Sequence, residues 1–405
     1  GARAVADRAD YIEYTLARLG DSWWRELILL EAGYLSTQGK RRTTALIRAI
    51  MDCEEEPELY HNLVLAAQVL RDVGPARVEG DLWEEVQRRL RKEFETPLRT
   101  SPSVSHTKRV RLIRRRAAAA EAWARIESGQ PVTQPVFWTT PYGEPVWVEV
   151  PAGKFWMGSE NGAEDEKPLH RVEVAKFWIA RVPITNAQYH LFVEATGYKA
   201  PDHWEGHRVP RGLESHPVVY VSWHDALAYC RWLGEVTGKM IMLPGEAQWE
   251  KAARGDQDQR EYPWGDVWDD SRPQRAQYAG NTRELGLGLT TPVGIFPDGV
   301  SPYGCLDMAG NVWEWTRSLW GGSWRASDFC YLYDATDGRE DLEAGSDIYR
   351  VLRGGAFQLD RRFARCSYRD CDNPYSADGL CGFRVVRLAD DESNLKRDIL
   401  GPSEV

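Results

Sequence analysis

Two regimes of hydrophobic patterning divide the chain. Over residues 1–128, apolar side chains recur at three- and four-residue intervals in RELILLEAGYL (Arg25–Leu35), TALIRAI (Thr44–Ile50), ELYHNLVLAAQVLRDV (Glu58–Val73), DLWEEVQRRLRKEF (Asp81–Phe94) and RRRAAAAEAWARIE (Arg114–Glu127). This spacing predicts helices. Pro57 and Asp81 stand where helices begin, and Gly74-Pro75 stands where one stops. Arg25–Leu35 and His61–Arg71 share an apolar spacing, which predicts stacked helical hairpins, each unable to bury its apolar face by itself. An irregular helical bundle is the alternative.

Pro131 and Pro135 mark the change of regime, within a linker at 129–145. Beyond it the apolar runs shorten and alternate: VWVEVPAG (Val146–Gly153), KFWMGS (Lys154–Ser159), RVEVAKFWIA (Arg171–Ala180) and GFRVVR (Gly382–Arg387) read as strands. Two stretches keep helical spacing and end on glycine, Ile184–Gly197 and Trp223–Gly238. The expected fold class is therefore α+β, an all-α domain at 1–128 followed by a mixed domain at 146–390 and a tail at 391–405.

Composition narrows the function. With 42% hydrophobic and 28% charged residues the chain is of globular type, and 405 residues exceed one ordinary domain. A net charge of -10 argues against nucleic acid as the main partner. The local exception is KRVRLIRRR (Lys108–Arg116), which reads as a solvated helix face or linker flank, with a contact to RNA, an acidic partner or another domain as the alternative. No run approaches the roughly 20 apolar residues of a membrane span, and no secretory leader opens the chain, so a cytoplasmic protein without membrane contact is expected. The first residue is Gly1, which suggests a processed chain or a piece of something longer. The cysteines, at 53, 230, 305, 330, 366, 371 and 381, match no zinc spacing and read as reduced thiols, with Cys230 as a core residue.

The succession VPAGKFWMGS, RVPITNAQYHLFVEATGY, HPVVYVSWHDALAYCRWLGEVTGKMIMLPGEAQWEKAARG, YPWGD, GCLDMAGNVWEWT, RVLRGGAF and GFRVV strongly resembles the formylglycine-generating enzyme, or sulfatase-modifying factor, superfamily. The resemblance implies a variant of the C-type lectin fold. Much of such a chain is irregular, and Trp223, Trp249, Trp264, Trp313 and Trp315 are expected to pin it from the core. Members that make formylglycine use a copper-binding cysteine pair whose places here hold Leu359 and Ala364, so that chemistry is expected to be absent. Cys366 lies close by but has no partner thiol at the first place. A related branch joins a helical domain to this fold and oxidises sulfur compounds with iron held by two histidines and a glutamate. That ligand pattern is missing from the first domain, and its nearest echo, His203 and His207, has Val209 in place of the carboxylate. No cofactor is required by this reading. The family also implies a structural calcium, for which Asn311 and Glu314 supply hard oxygen ligands; the alternative is that both side chains bind backbone groups in a tight bend.

The last segment, RVLRGGAFQLDRRFARCSYRDCDNPYSADGLCGFRVV, resembles the variable region of proteins diversified by diversity-generating retroelements, in which template adenines, mostly in asparagine codons, are copied unfaithfully. The resemblance makes Arg353–Phe357, Arg365–Arg369, Pro374 and Gly382–Val386 the constant frame. Within the tip at 357–381, the varied positions are then Leu359, Asp360, Phe363, Asp370, Cys371, Asp372, Asn373, Tyr375, Asp378, Gly379 and Leu380. Changing the adenines of an asparagine codon never yields Gln, Lys, Glu, Trp or Met, and none of these occurs between Leu359 and Asp391. Aromatic and aliphatic residues among short polar ones suit a binding hot spot. The expected function is non-enzymatic binding of a protein ligand at this tip. A copper- or iron-dependent oxidase of the superfamily is the alternative. The helical domain resembles the repeat arms of STAND-type signalling nucleotidases; this chain has no phosphate loop of the G-x-x-x-x-G-K-[ST] type, so any nucleotidase module is expected either upstream or not at all.

Overall fold

In the computed structural model, the described residues are 1–19, 24–53, 62–95, a few positions between 115 and 123, 142–210, 213–266, 268 and 279–388. Pro57, the linker before residue 142, the tail at 391–405 and all of Lys108–Arg116 except Arg115 lie outside them. The chain divides into two compact units.

The first unit contains α1 (Ala2–Ala6), α2 (Tyr11–Leu16), α3 (Trp24–Gln38), α4 (Lys40–Asp52), α5 (Asn62–Val73) and α6 (Leu82–Glu95). From α3 to α6 consecutive helices pack on one another, and α3 also touches α5, giving two consecutive hairpins that lie against one another. Ile28, Ala32 and Leu35 of α3 meet Leu46, Ile47 and Ile50 of α4, and Val69 and Leu70 of α5, in one core. These are the apolar positions of the helical period. Gly74, at φ 85°, ends α5 in a conformation that other residues resist, and α6 begins directly after Asp81.

The second unit is mixed. Strands β1 (Trp147–Val150), β4 (Phe177–Ala180), β10 (Val386–Leu388) and β5 (Ile241–Met242) form an antiparallel sheet in that order, and β2 (Gly153–Met157) pairs with β3 (His170–Val174) as a separate hairpin. RVEVAKFWIA is thus two strands in two sheets. A further sheet has the order β8 (Asp370–Asp372), β7 (Tyr349–Arg353), β6 (Trp313–Gly321) and β9 (Cys381–Gly382), with β9 parallel to β6.

Helices α7 (Asn186–Thr196) and α8 (Trp223–Thr237) match the two expected from the sequence. Thr185 and Ser222 cap their first turns by accepting from the N–H groups of Gln188 and Asp225, and Gly197 and Gly238 end them with positive φ. A third helix, α9 (Glu246–Arg254), was not expected. It is only nine residues long and starts after Gly245, which offers no side-chain cap, and its polar residues Glu246, Glu250, Lys251 and Arg254 are buried along with its apolar ones.

Irregular segments are pinned by indoles. The Nε1–H groups of Trp223 and Trp315 donate to the carbonyls of Thr316 and Val221, at 2.9 and 3.0 Å, while their rings fill the core. Trp249 and Trp313 are buried as expected; Trp264 is only half-buried and stacks on Tyr262 at 5.3 Å.

Candidate ligand-binding tip

The tip is held from beneath by arginines paired with buried glutamates. Arg353 at the end of β7 reaches Glu246 and Glu250 of α9 at 3.2 and 2.5 Å, and Arg369 grips Glu246 through Nε and Nη2 at 2.6 and 3.0 Å. Arg365 holds Glu166 through both terminal nitrogens, and Arg384 holds Glu314 at 2.6 and 2.7 Å. Such bidentate pairs fix direction as well as distance. Neighbouring guanidinium groups hold the Glu246 and Glu166 carboxyls below their ordinary range in spite of burial. Glycine is required at the start of the tip: Gly354 and Gly355 have φ of 97° and 76°, and a Cβ on Gly355 would stand 2.9 Å from the Phe363 carbonyl oxygen.

On this base the frame and the varied candidates separate. Arg353 through Phe357, Cys366, Ser367, Arg369, Pro374 and Gly382 through Val386 are buried, whereas every candidate position is half-buried or exposed. Leu359, Phe363 and Leu380 rest their inner sides on one hydrophobic cluster, where Phe363 meets Tyr368 at 5.0 Å. Asp370, Cys371 and Asp372 form the edge strand β8. Asn373 accepts from the Tyr375 N–H, leaving the Tyr375 ring 63% exposed beside His224 at 4.5 Å. Asp378 accepts from the N–H groups of Leu380 and Cys381, and Gly379 lies against Tyr220. Asp360 is drawn elsewhere: it caps the Arg361–Ala364 turn and pairs with Arg283 and Arg362.

The places of the copper thiols do not fit copper. Leu359 packs on the hydrophobic cluster, and Ala364 is buried against Tyr262, Trp268 and Ala309. Cys366 is enclosed, and burial pushes its thiol up to about 12, so it is no ready thiolate. At the place expected to hold calcium, Glu314 gives its carboxylate to Arg384 and to the Trp249 indole, the latter at 2.7 Å. Asn311, at φ 69°, binds the N–H and carbonyl of Thr291 and so holds a bend, as the alternative had it. Nor do His203 and His207 converge: His203 lies against Tyr220 at 4.7 Å, while His207 is exposed. Among the described residues one trio offers metal-ligating atoms within 4.8 Å of one another, Asp372, Asp378 and Cys381, and it contains no histidine.

Sequence reasoning missed the fixed rim. Tyr220 is 39% exposed, and its N–H donates to the Asp378 carbonyl at 2.7 Å; Trp324 is 62% exposed, and its carbonyl accepts from Cys371 at 3.8 Å. His203 and His224 back this rim, their rings against Tyr220 and Tyr375. Only the odd exposure of large rings would have found these residues, and exposure cannot be read from single residues far from the tip in sequence.

Residues 133–389 match the family described as "Sulfatase-modifying factor enzyme 1-like domain". The chain is 31% identical to the formylglycine-generating enzyme of Thermomonospora curvata, over 59% of this chain and 92% of that one. It is 32% identical to the serine/threonine-protein kinase pkn1 of Chlamydia caviae, over 61% of this chain but only 38% of the kinase. Among solved structures, Treponema denticola variable protein 1 is similar with a TM-score of 0.48 and 21% identity, covering 63% of this chain and 99% of that one.

Proposed function

The chain belongs to the sulfatase-modifying factor enzyme 1-like family, and from that premise we propose that it is a non-enzymatic member whose diversified tip binds a protein ligand. The family includes enzymes, such as the formylglycine-generating enzyme of T. curvata. One observation carries the proposal: the candidate varied positions are all half-buried or exposed, while the frame is buried apart from the half-buried Arg365 and Tyr368. A surface that must change without unfolding its scaffold needs this division, because substitutions at accessible positions cost little and those in a packed core cost much. The leucine and alanine at 359 and 364 support the loss of thiol chemistry. A rigid base also limits the entropy lost on binding. The helical unit, with its stacked hairpins, would serve as the arm that reports occupancy to a nucleotidase module.

The neighbouring genomic DNA tests the proposal. An imperfect copy of the segment encoding Arg350–Val386, with mismatches at adenines in the candidate codons and a reverse transcriptase gene beside it, is the expected result. Mismatches scattered over the frame codons would contradict it. A second reading, an oxidase with unfamiliar ligands, draws on the identity to a formylglycine-generating enzyme. Stoichiometric copper or iron in the purified protein, with consumption of oxygen, would favour that reading.

A further inference from the structure

The chemistry of the ligand follows from the surroundings of the tip, on the premise that the tip is where a ligand binds. Three exposed rings are tied to one short stretch of chain: Trp324 through Cys371, Tyr375 through Asn373, and Tyr220 through the Asp378 backbone. The same stretch carries Asp370, Asp372 and Asp378, and carboxylate oxygens of the last two fall within the 4.8 Å trio with Cys381. Among the described residues no lysine or arginine forms an ion pair with any of these three. Of the guanidinium groups behind them, Arg369 is committed to Glu246, and Arg350, opposite Asp372 across β7 and β8, donates to the Asp341 and Ala344 carbonyls.

We infer that this version of the tip takes a basic segment of a partner protein, its lysine or arginine side chains entering among the exposed rings and pairing with Asp370, Asp372 and Asp378. Aromatic faces attract cations, and Trp324 already carries the Arg325 guanidinium 5.3 Å from its ring centroid. Burial pushes the Asp370 carboxyl up from its ordinary range, and the Asp372 and Asp165 charges push it further. A group so crowded by like charge gains when a cation arrives. An acidic partner meets the opposite: its carboxylates would face three that accept backbone N–H groups and, among the described residues, have no ion-pair partner. The rings belong partly to the fixed rim and the carboxylates to the varied positions, so the rim would supply general adhesion and the varied residues the sign of charge.

The test uses the full chain and a fluorescent hexa-arginine peptide at physiological salt, with hexa-glutamate as the opposite probe. Because the whole chain carries a charge of -10, general attraction must be separated from the tip. The triple variant D370N/D372N/D378N is therefore compared with E173Q/E194Q/E235Q, which removes three exposed carboxylates elsewhere. The unaltered chain is expected to bind hexa-arginine and not hexa-glutamate. The tip variant should lose about tenfold or more in affinity, against less than about twofold for the other. The Y375A/W324A variant should lose roughly fivefold while keeping its thermal transition. No binding of hexa-arginine, or equal losses in the two triple variants, would overturn the inference of a basic partner. That result would leave the ligand-binding reading itself in place, since that reading falls on the coding DNA and not on the peptide.

Discussion

Glu314 and Arg384 have no solvent exposure, and each completes the other. Removing one member of such a pair strands the other charge in the core. Arg384→Leu is expected to cost about 3–5 kcal/mol in a urea unfolding experiment. Because Arg384 already neutralises Glu314, millimolar calcium should leave the melting temperature of the unaltered chain unchanged; a marked rise would bear out the calcium expectation. The residue scale is also where the sequence was hardest to read. That positions 359 and 364 lack thiols was plain in the letters, but that Glu314 faces a guanidinium was not. Oxygen ligands and ion-pair partners are the same residue types, and only the fold tells which cation they meet.

Elements were legible where their own chemistry announced them. Helices α7 and α8 carry a capping residue, an apolar stripe and a terminal glycine, so they could be marked from the letters. The α9 helix was missed because it is short and starts after a glycine, which offers no side-chain cap as a start signal. Nor does Ala175-Lys176, between β3 and β4, contain a turn residue to show where one strand ends and the next begins. In the helical unit, Glu31 of α3 is buried and accepts from Thr15 of α2 at 2.8 Å. Burial pushes its carboxyl from about 4.5 to about 7. The folded state thus holds a proton that the unfolded state releases, so this contribution to stability is full below about 4.5 and lost as pH rises through about 7. Glu31→Gln should flatten that slope in unfolding followed by circular dichroism. A slope equal to that of the unaltered chain would show that Glu31 is not its source.

At the scale of the whole molecule, the α+β class and its order, helical region first and lectin-like enzyme-family domain after, were readable because motifs recur in sequence along the chain. The division between frame and tip was readable only as a pattern of letters, and the structure adds burial to it. Among the described residues no helix is long and apolar enough to cross a membrane. If the tip is built to vary, the scaffold must tolerate change there and resist it beneath. Tyr375→Ser and Asp370→Asn should each shift stability by less than about 0.5 kcal/mol. Gly355→Ala should cost more than about 1 kcal/mol, because its φ is positive and the Phe363 carbonyl leaves no room for a methyl group.

The most direct measurement is deep sequencing of the codons for Arg350–Val386 across a natural population of the organism. The account predicts substitutions concentrated at the accessible positions from Leu359 to Leu380, with Gln, Lys, Glu, Trp and Met absent from them and with Arg353, Arg369 and Arg384 unchanged. Substitutions spread evenly over frame and tip, or a population uniform at every one of these codons, would contradict it.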